Sequence, residues 1–268
     1  MGEAESSTFP DLLRDWRQRR RFSQLELSAI SGVSTRHLSF LETGRSRPSR
    51  DMVLTLAEHL GVPLRERNIL LTTAGFAPAF SHRPLDAPEM SAVRAAVEQV
   101  LAGHEPYPAV AVDRAWNVAS MNAGALVLVE GVADWLLEAP NAYRIGLHPD
   151  GLAPRVIDFP AFAGHLLARL RHDVAVTGDP DAAALLDEVE AYPTVRELAH
   201  HGAAADAVVV PVRLRHPQGE LAMFTTVTTF GTPADVTVAE LAIESFFPND
   251  DATALRLREI AEGMAAHA

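Results

Sequence analysis

The sequence predicts a multidomain protein of the α and α+β classes, with five helices first and an antiparallel sheet with helices after them. Over residues 9–76 the apolar residues recur at helical spacing, and over 77–88 a segment with three prolines interrupts that pattern. Beyond it, stretches of alternating apolar residues indicate strands. A chain of 268 residues is long enough for two domains of roughly 100–200 residues each. We therefore predict a helical domain over 1–76, a linker over 77–88 and an α+β domain over 89–268.

Capping residues and glycines divide the first region into five helices. The run "DLLRDWRQRRRF" forms the first, and the capping box "SQLE", which starts at Ser23, begins the second. The second ends at Gly32, the residue type that most easily adopts a left-handed turn after a helix. Ser34 and Ser49 are placed to cap the third and fourth helices, and Pro63 opens the fifth.

The remainder mixes strands and helices. "YPAVAVDRAWNVASMN" predicts two strands, Ala109–Asp113 and Asn117–Met121, around a turn. A long hairpin is predicted over Val208–Arg215 and Glu220–Phe230, around the turn "HPQG". Helices are predicted over 89–103, 124–138 and 159–173, in "DPDAAALLDEVEAY" and in "DATALRLREIAEGM".

Composition excludes several classes of protein. The chain has no cysteine, which excludes disulfides, thiolate zinc sites and cysteine nucleophiles. The start "MGEAESSTFP" has no apolar core of a secretory signal. No apolar run approaches the roughly 18 residues that a membrane helix needs. We expect a cytoplasmic protein with no membrane partner.

The charge is distributed unevenly along the chain. Residues 1–80 hold 11 Arg and 9 Asp or Glu, a net of +2, whereas residues 81–268 hold 12 Arg and 26 Asp or Glu, a net of -14. All 23 basic residues are arginine, and because this bias covers the whole chain we attribute it to a GC-rich genome rather than to DNA binding. An acidic body repels DNA, so any contact with phosphates has to come from the first region.

The second and third helices, joined at Gly32, form a helix-turn-helix pattern, in which the second helix enters the major groove of DNA. If Leu38 and Leu41 point inward, the residues on the opposite face point toward the bases. On that face Arg36 is placed to bind guanine, and Phe40 to touch a thymine methyl group. The arginines that follow this helix are placed for phosphate contacts. The predicted DNA-binding residues are Gln24, Ser34, Thr35, Arg36, Ser39, Phe40, Arg45, Arg47 and Arg50. A helical bundle that does not bind DNA is the alternative.

The stretch "SQLELSAISGVSTRHLSFLETGRSRPS" resembles the xenobiotic response element (XRE, Cro/cI-type) helix-turn-helix family of transcriptional regulators. The resemblance covers about residues 9–76 and implies a lambda-repressor-like domain. It also implies that a buried arginine of the first helix, Arg17, pairs with the glutamate that closes the reading helix, Glu42. Because one reading helix contacts only a half-site, we expect a homodimer on a palindromic double-stranded DNA operator.

Residues 89–268 resemble the ligand-binding domain of MmyB-like regulators, a PAS-like sensor joined to an XRE domain. The stretches "PAVAVDRAWNVASMNAGA", "NAYRIGLHPDGL" and "FFPNDDAT" carry this resemblance. It implies an antiparallel sheet with helices over one face, and between them a pocket for a small, fatty acid-like effector. The candidate pocket residues are Trp116, Trp135, Phe159, Phe162, Met223 and Phe224. For each of them ordinary core packing is the alternative, and the whole domain has an alternative as a dimerisation or protein-interaction module.

An enzyme joined to the helix-turn-helix is a third hypothesis, and the motifs do not favour it. His165 and His172 are two helical turns apart, about 10 Å, too far to share one metal ion. The sequence has no nucleophile elbow, P-loop or dinucleotide-binding glycine motif. We therefore predict no catalytic residue, no metal and no cofactor.

Overall fold

A computed structural model describes residues 7–200 and 211–266. The chain divides into two compact units, with the main division between Arg83 and Pro84. The short segments Ala175–Thr177 and Thr232–Ala239 cluster with the first unit.

The first unit contains the five predicted helices. They are α1 Phe9–Arg19, α2 Gln24–Ser31, α3 Thr35–Glu42, α4 Arg50–His59 and α5 Leu64–Thr73. Their inward faces share one core, in which Leu13, Leu27, Leu38, Leu41 and Leu56 are almost completely buried. The prediction of an all-helical N-terminal domain is confirmed.

The predicted caps explain where these helices begin and end. Glu26 and Ser23 form the capping box: the Ser23 amide donates to Glu26 Oε2 at 2.7 Å, and the Glu26 amide donates to Ser23 Oγ at 3.1 Å. Gly32 follows α2 with φ at +73°, a conformation that costs glycine little. Ser34 and Ser49 cap α3 and α4 through their hydroxyl groups.

The second unit is built on a five-stranded antiparallel sheet. Its strands are β1 Ala109–Val112, β2 Val118–Met121, β3 Val212–Leu214, β4 Leu221–Thr229 and β5 Ala242–Pro248, in the spatial order β2-β1-β5-β4-β3. The helices after Arg83 are α6 Ser91–Gly103, α7 Leu126–Val129, α8 Asp134–Glu138, α9 Ala142–Leu147, α10 Phe159–Thr177, α11 Pro180–Glu190, α12 Pro193–Arg196, α13 Val236–Glu240 and α14 Asp251–Ala265. Of these, α13 lies almost entirely in the segment that clusters with the first unit.

The two faces of the sheet carry different cores. Val110 and Phe246 pack into the larger core, which the helices after β2 complete. Ala109, Ala111 and Ile243 point the other way and pack against α6. Helices therefore cover part of both faces, whereas the resemblance implied helices over one.

Several predicted boundaries were wrong. The helix predicted over 124–138 is divided into α7 and α8, because Gly131 takes a positive φ of +70° between them. Strand β5 and helices α9, α12 and α13 were not predicted. The hairpin strands are shorter than predicted, β3 beginning at Val212, and residues 208–210 lie outside the described residues.

None of the helices in residues 7–200 and 211–266 is both long and apolar enough to cross a membrane.

Candidate DNA-binding surface and ligand cavity

A buried ion pair holds the helix-turn-helix together. Glu42, at the end of α3, is only 2% exposed, and its carboxylate accepts from Arg17 Nε at 2.6 Å and from Arg17 Nη2 at 2.9 Å. Gln24 Nε2 donates to the same carboxylate at 2.9 Å. Arg17 uses its remaining Nη1 on the carbonyl of Phe22 at 2.8 Å. The pairing of Arg17 with Glu42 that the family resemblance implied is therefore present, and it fixes α3 against α1.

The electrostatics agree with this arrangement. Burial raises the pKa of the Glu42 carboxyl, but the hydrogen bonds from Arg17 and Gln24, together with the charge of Arg17, outweigh it. The net effect is a pKa below the ordinary value of 4.5, so Glu42 is ionised at neutral pH.

The face of α3 opposite the core carries the predicted base-reading residues. Arg36 is exposed, and its guanidinium carbon lies 5.4 Å from the centre of the Phe40 ring, a cation–π contact on the helix surface. Thr35, Ser39 and Phe40 are half-buried. A guanidinium that stacks on a neighbouring ring stays extended along the helix, a suitable position for a two-pronged contact with guanine.

The predicted phosphate-contacting arginines surround the end of α3 and the start of α4. Arg45, Arg47 and Arg50 are all exposed. Arg50 is the first residue of α4, where free backbone amides also favour an anion.

The other two predicted contacts are engaged within the domain. Ser34 accepts the amide of His37 at 3.3 Å, and the side-chain amide nitrogen of Gln24 is used on Glu42. Since its side-chain nitrogen is used in this way, Gln24 can offer DNA its side-chain amide oxygen and the backbone amides at the start of α2.

A cavity of about 290 Å³ lies in the second unit, between the sheet and the helices on one of its faces. This volume is near the lower end of the roughly 300–1,000 Å³ that is typical of small-molecule sites. The wall is mostly apolar, and its residues come from all five strands and from helices α7 to α10. Met121 and Leu126 line it while each is 42% exposed, so the cavity reaches the surface beside them.

Polar side chains interrupt the apolar wall. Arg169 of α10 and Glu244 of β5 both line the cavity, with Arg169 Nη1 3.7 Å from Glu244 Oε1. The Arg169 guanidinium carbon lies 4.2 Å from the centre of the Trp116 ring. The hydroxyl of Tyr143, on α9, is buried in the same wall and meets no hydrogen-bond partner among the described residues.

Only two of the six predicted pocket residues line this cavity, Trp116 and Phe162. Trp135 is 52% exposed and packs against the ring of His148 instead. Phe159 belongs to the edge of the larger core.

The two predicted residues of β4 lie outside this cavity for different reasons. Met223 shares a sheet face with Thr225, which lines the cavity, but Met223 is fully buried in the core farther along the strand. Phe224 points to the opposite face and stacks on Phe247 at 5.2 Å between ring centres.

Three polar residues of the wall were not predicted from the sequence, namely Arg169, Glu244 and Tyr143. A signal for one of them was present, since Glu244 is a lone charge in the otherwise apolar and small run "AIESFF". In the part of the chain that the structure describes, no three His, Asp or Glu side chains converge in a way that could hold a metal ion.

The family comparisons match both units. A family model described as the MmyB-like transcription regulator ligand binding domain matches residues 93–260. A model described as helix-turn-helix matches residues 13–67. Comparison with curated proteins gave no match.

One similar solved structure is described as an RNA-binding light-oxygen-voltage receptor. It is 15% identical, with a TM-score of 0.26 over 99% of this chain, and this chain spans 65% of the length of that receptor.

Proposed function

Because the chain belongs to the MmyB-like transcription regulators, we propose that it is a sequence-specific DNA-binding regulator whose affinity for DNA is set by a small, fatty acid-like molecule. The observation that carries the proposal is the largely apolar cavity of about 290 Å³ in the matched ligand-binding domain. The exposed arginines on and after α3 support the DNA-binding half.

We further propose that the regulator works in the cytoplasm as a homodimer on a palindromic operator. A single reading helix contacts one half-site, and two-fold symmetric sites match two copies of the protein. The effector shifts DNA binding only if it binds the DNA-competent and the incompetent states with different affinity.

A pure protein-interaction module is the competing function. A protein-interaction module is expected to have a filled interior. The cavity, with a buried hydroxyl that meets no partner among the described residues, supports a small-molecule site instead. Catalysis is not part of the proposal.

The proposed small-molecule ligand is tested by denaturing the purified protein and analysing the extract by mass spectrometry. We expect a stoichiometric acyl-chain molecule from the wild type and little from Ala142→Phe. Ala142 is a half-buried wall residue, so a phenyl group there occupies the space of the ligand.

The matched control is Ala168→Phe, at an exposed position of α10 outside the wall. This variant should retain the same extracted molecule. Equal amounts from the wild type and from both variants would place the molecule outside the cavity.

The proposed sequence-specific DNA binding is tested with two arginine variants, each measured on a set of operator sequences. Arg36→Ala should cost about 1–3 kcal/mol on the preferred sequence and relax specificity at one base pair, because it removes a contact to a base edge. Arg45→Ala should weaken binding to all sequences similarly and reduce the salt slope by about one, because it removes a phosphate contact.

Binding titrations over a series of single base-pair changes, at two salt concentrations, distinguish the two roles. If Arg36→Ala lost the same free energy on every sequence, Arg36 would be a phosphate contact and not a reader.

A further inference from the structure

Arg36 and Phe40 form one continuous patch on the outer face of α3. They are four residues apart, so they are neighbours on the helix surface, and the Phe40 side chain leans back toward Arg36. The guanidinium carbon of Arg36 lies 5.4 Å from the centre of the Phe40 ring. Leu38 and Leu41 are completely buried on the opposite face, which keeps the patch away from the core. A charged donor and an apolar ring are therefore presented side by side.

The guanidinium of Arg36 is free to bind a partner outside the protein. Within residues 7–200 and 211–266 it forms no hydrogen bond and no ion pair, and its side chain is exposed. A guanidinium that stacks on a ring uses its flat face, and its N–H donors stay free in the plane of the group. Those donors match the O6 and N7 acceptors of guanine in the major groove.

The Phe40 ring has one chemical counterpart among the base edges of the major groove. These edges present hydrogen-bond donors and acceptors, and the apolar group among them is the 5-methyl group of thymine. Successive bases of a strand are about 3.4 Å apart. A ring in contact with the guanidinium therefore reaches the base beside the guanine rather than a base farther along the groove.

An apolar ring does not distinguish thymine from 5-methylcytosine, because both bases carry the same methyl group. The two bases differ at the 4 position, where thymine has a carbonyl acceptor and cytosine an amino donor. Ser39 is the polar residue that precedes Phe40 in the helix, and its hydroxyl can act as a donor or as an acceptor. This part of α3 is therefore compatible with either 5-methylpyrimidine.

We infer that Arg36 and Phe40 read one base step together, a guanine and the 5-methylpyrimidine beside it, so that methylation of a cytosine at this step strengthens DNA binding. The inference rests on the proposed function, since it assumes that α3 enters the major groove. It makes the regulator responsive to the methylation state of its DNA as well as to the base sequence.

A duplex that the full-length protein selects from a random library provides the probe. Each thymine beside a guanine is compared with uracil, and cytosine placed at the same position is compared with 5-methylcytosine. The members of each pair differ by one methyl group, and fluorescence anisotropy at one salt concentration gives the Kd for each. At one such position the methylated member of both pairs should bind about four-fold tighter, as expected for one methyl group withdrawn from water.

Equal affinity within either pair at every such position would overturn the inference. A selected duplex with no thymine beside a guanine would also overturn it. If the protein selects no duplex at all, the proposed DNA-binding function fails with the inference.

Phe40→Ala assigns the methyl effect to the ring. This variant should bind both members of each pair equally, and it should still prefer guanine to adenine at the neighbouring position because Arg36 is intact. Ile69→Ala, which removes a 40% exposed apolar side chain from α5, is the matched control and should keep the full methyl effect. A methyl effect that persists in a folded Phe40→Ala variant, as judged by circular dichroism, would overturn the assignment. The wild-type comparison of the two pairs tests the inference even if this variant does not fold.

Arg36→Ala tests whether the two residues act together. Because the guanidinium places the ring beside the guanine, the methyl effect should shrink in this variant along with the preference for guanine. An undiminished methyl effect would mean that Phe40 reads its base independently, which would overturn the joint reading of one base step.

Discussion

Replacing Glu42 by alanine is expected to lower the free energy of unfolding of the helical unit by about 3–5 kcal/mol. The variant leaves the guanidinium of Arg17, whose side chain is 12% exposed, without its two carboxylate contacts. It also removes the acceptor of the Gln24 side chain. Chemical denaturation followed by circular dichroism measures the loss, and DNA affinity should fall in parallel because α3 loses its anchor to α1.

Two controls make this prediction specific. Glu58→Ala, at an exposed position of α4, should change stability by no more than about 0.5 kcal/mol. The double variant Arg17→Met, Glu42→Leu should lose less free energy of unfolding than Arg17→Met and Glu42→Leu lose together as single variants. The reason is that the double variant leaves no buried charge unpaired. A loss below about 1 kcal/mol in Glu42→Ala would mean that the pair only orients the helices.

The pH dependence provides an independent check. The pKa of Glu42 is lowered in the folded state, so its stabilising effect is fully present above the ordinary value of 4.5. The effect is lost as the pH falls through the folded pKa. The difference in stability between the wild type and Glu42→Gln should therefore be constant near neutral pH and shrink below 4.5.

Gly151→Ala should be the most damaging single-methyl change near the cavity, with a loss of about 3 kcal/mol. A Cβ atom at Gly151 would lie 2.2 Å from the carbonyl oxygen of Ile145, which already accepts the amide of Leu152 at 2.7 Å. Ile145 and Leu152 both line the cavity, so the backbone shift that relieves the clash also deforms the wall. Thermal unfolding should register the loss of stability, and mass spectrometry of the extract should register a loss of the bound molecule.

Gly103→Ala is the matched control for this substitution. Gly103 ends α6, and a Cβ atom there meets no atom within 4 Å. Its stability should be unchanged or slightly higher, since alanine restricts the unfolded chain. Equal stability of the Gly151 and Gly103 variants would show that the loop after α9 relaxes freely.

The helix-turn-helix could be predicted from the sequence because local rules determine most of it. The capping box at Ser23, the left-handed Gly32 and the cap at Ser34 each act within a few residues of the chain. The Arg17–Glu42 pair is not local, and it was reached only through the resemblance of the motif to a known family.

The cavity could be predicted only in part, because its wall is assembled from distant segments. Arg169 lies in a long helix and Glu244 in a strand that was not predicted, and only their shared position in the fold brings them together. Large aromatic residues were reasonable candidates, but strand parity decides which face they occupy. Phe224 therefore lies outside this wall, although its neighbour Thr225 lines it.

The pairing of β1 with β5 also sets the order in which the protein can form during synthesis. Ala109 of β1 lies opposite Ser245 of β5, so the centre of the sheet joins an early and a late part of its domain. At roughly 5–20 residues per second, the ribosome releases the helical domain several seconds before β5 has been made. The DNA-binding helices can therefore fold before β5 is available to pair with β1. Until β5 has been made, the exposed edge of β1 has to be kept from pairing with another chain.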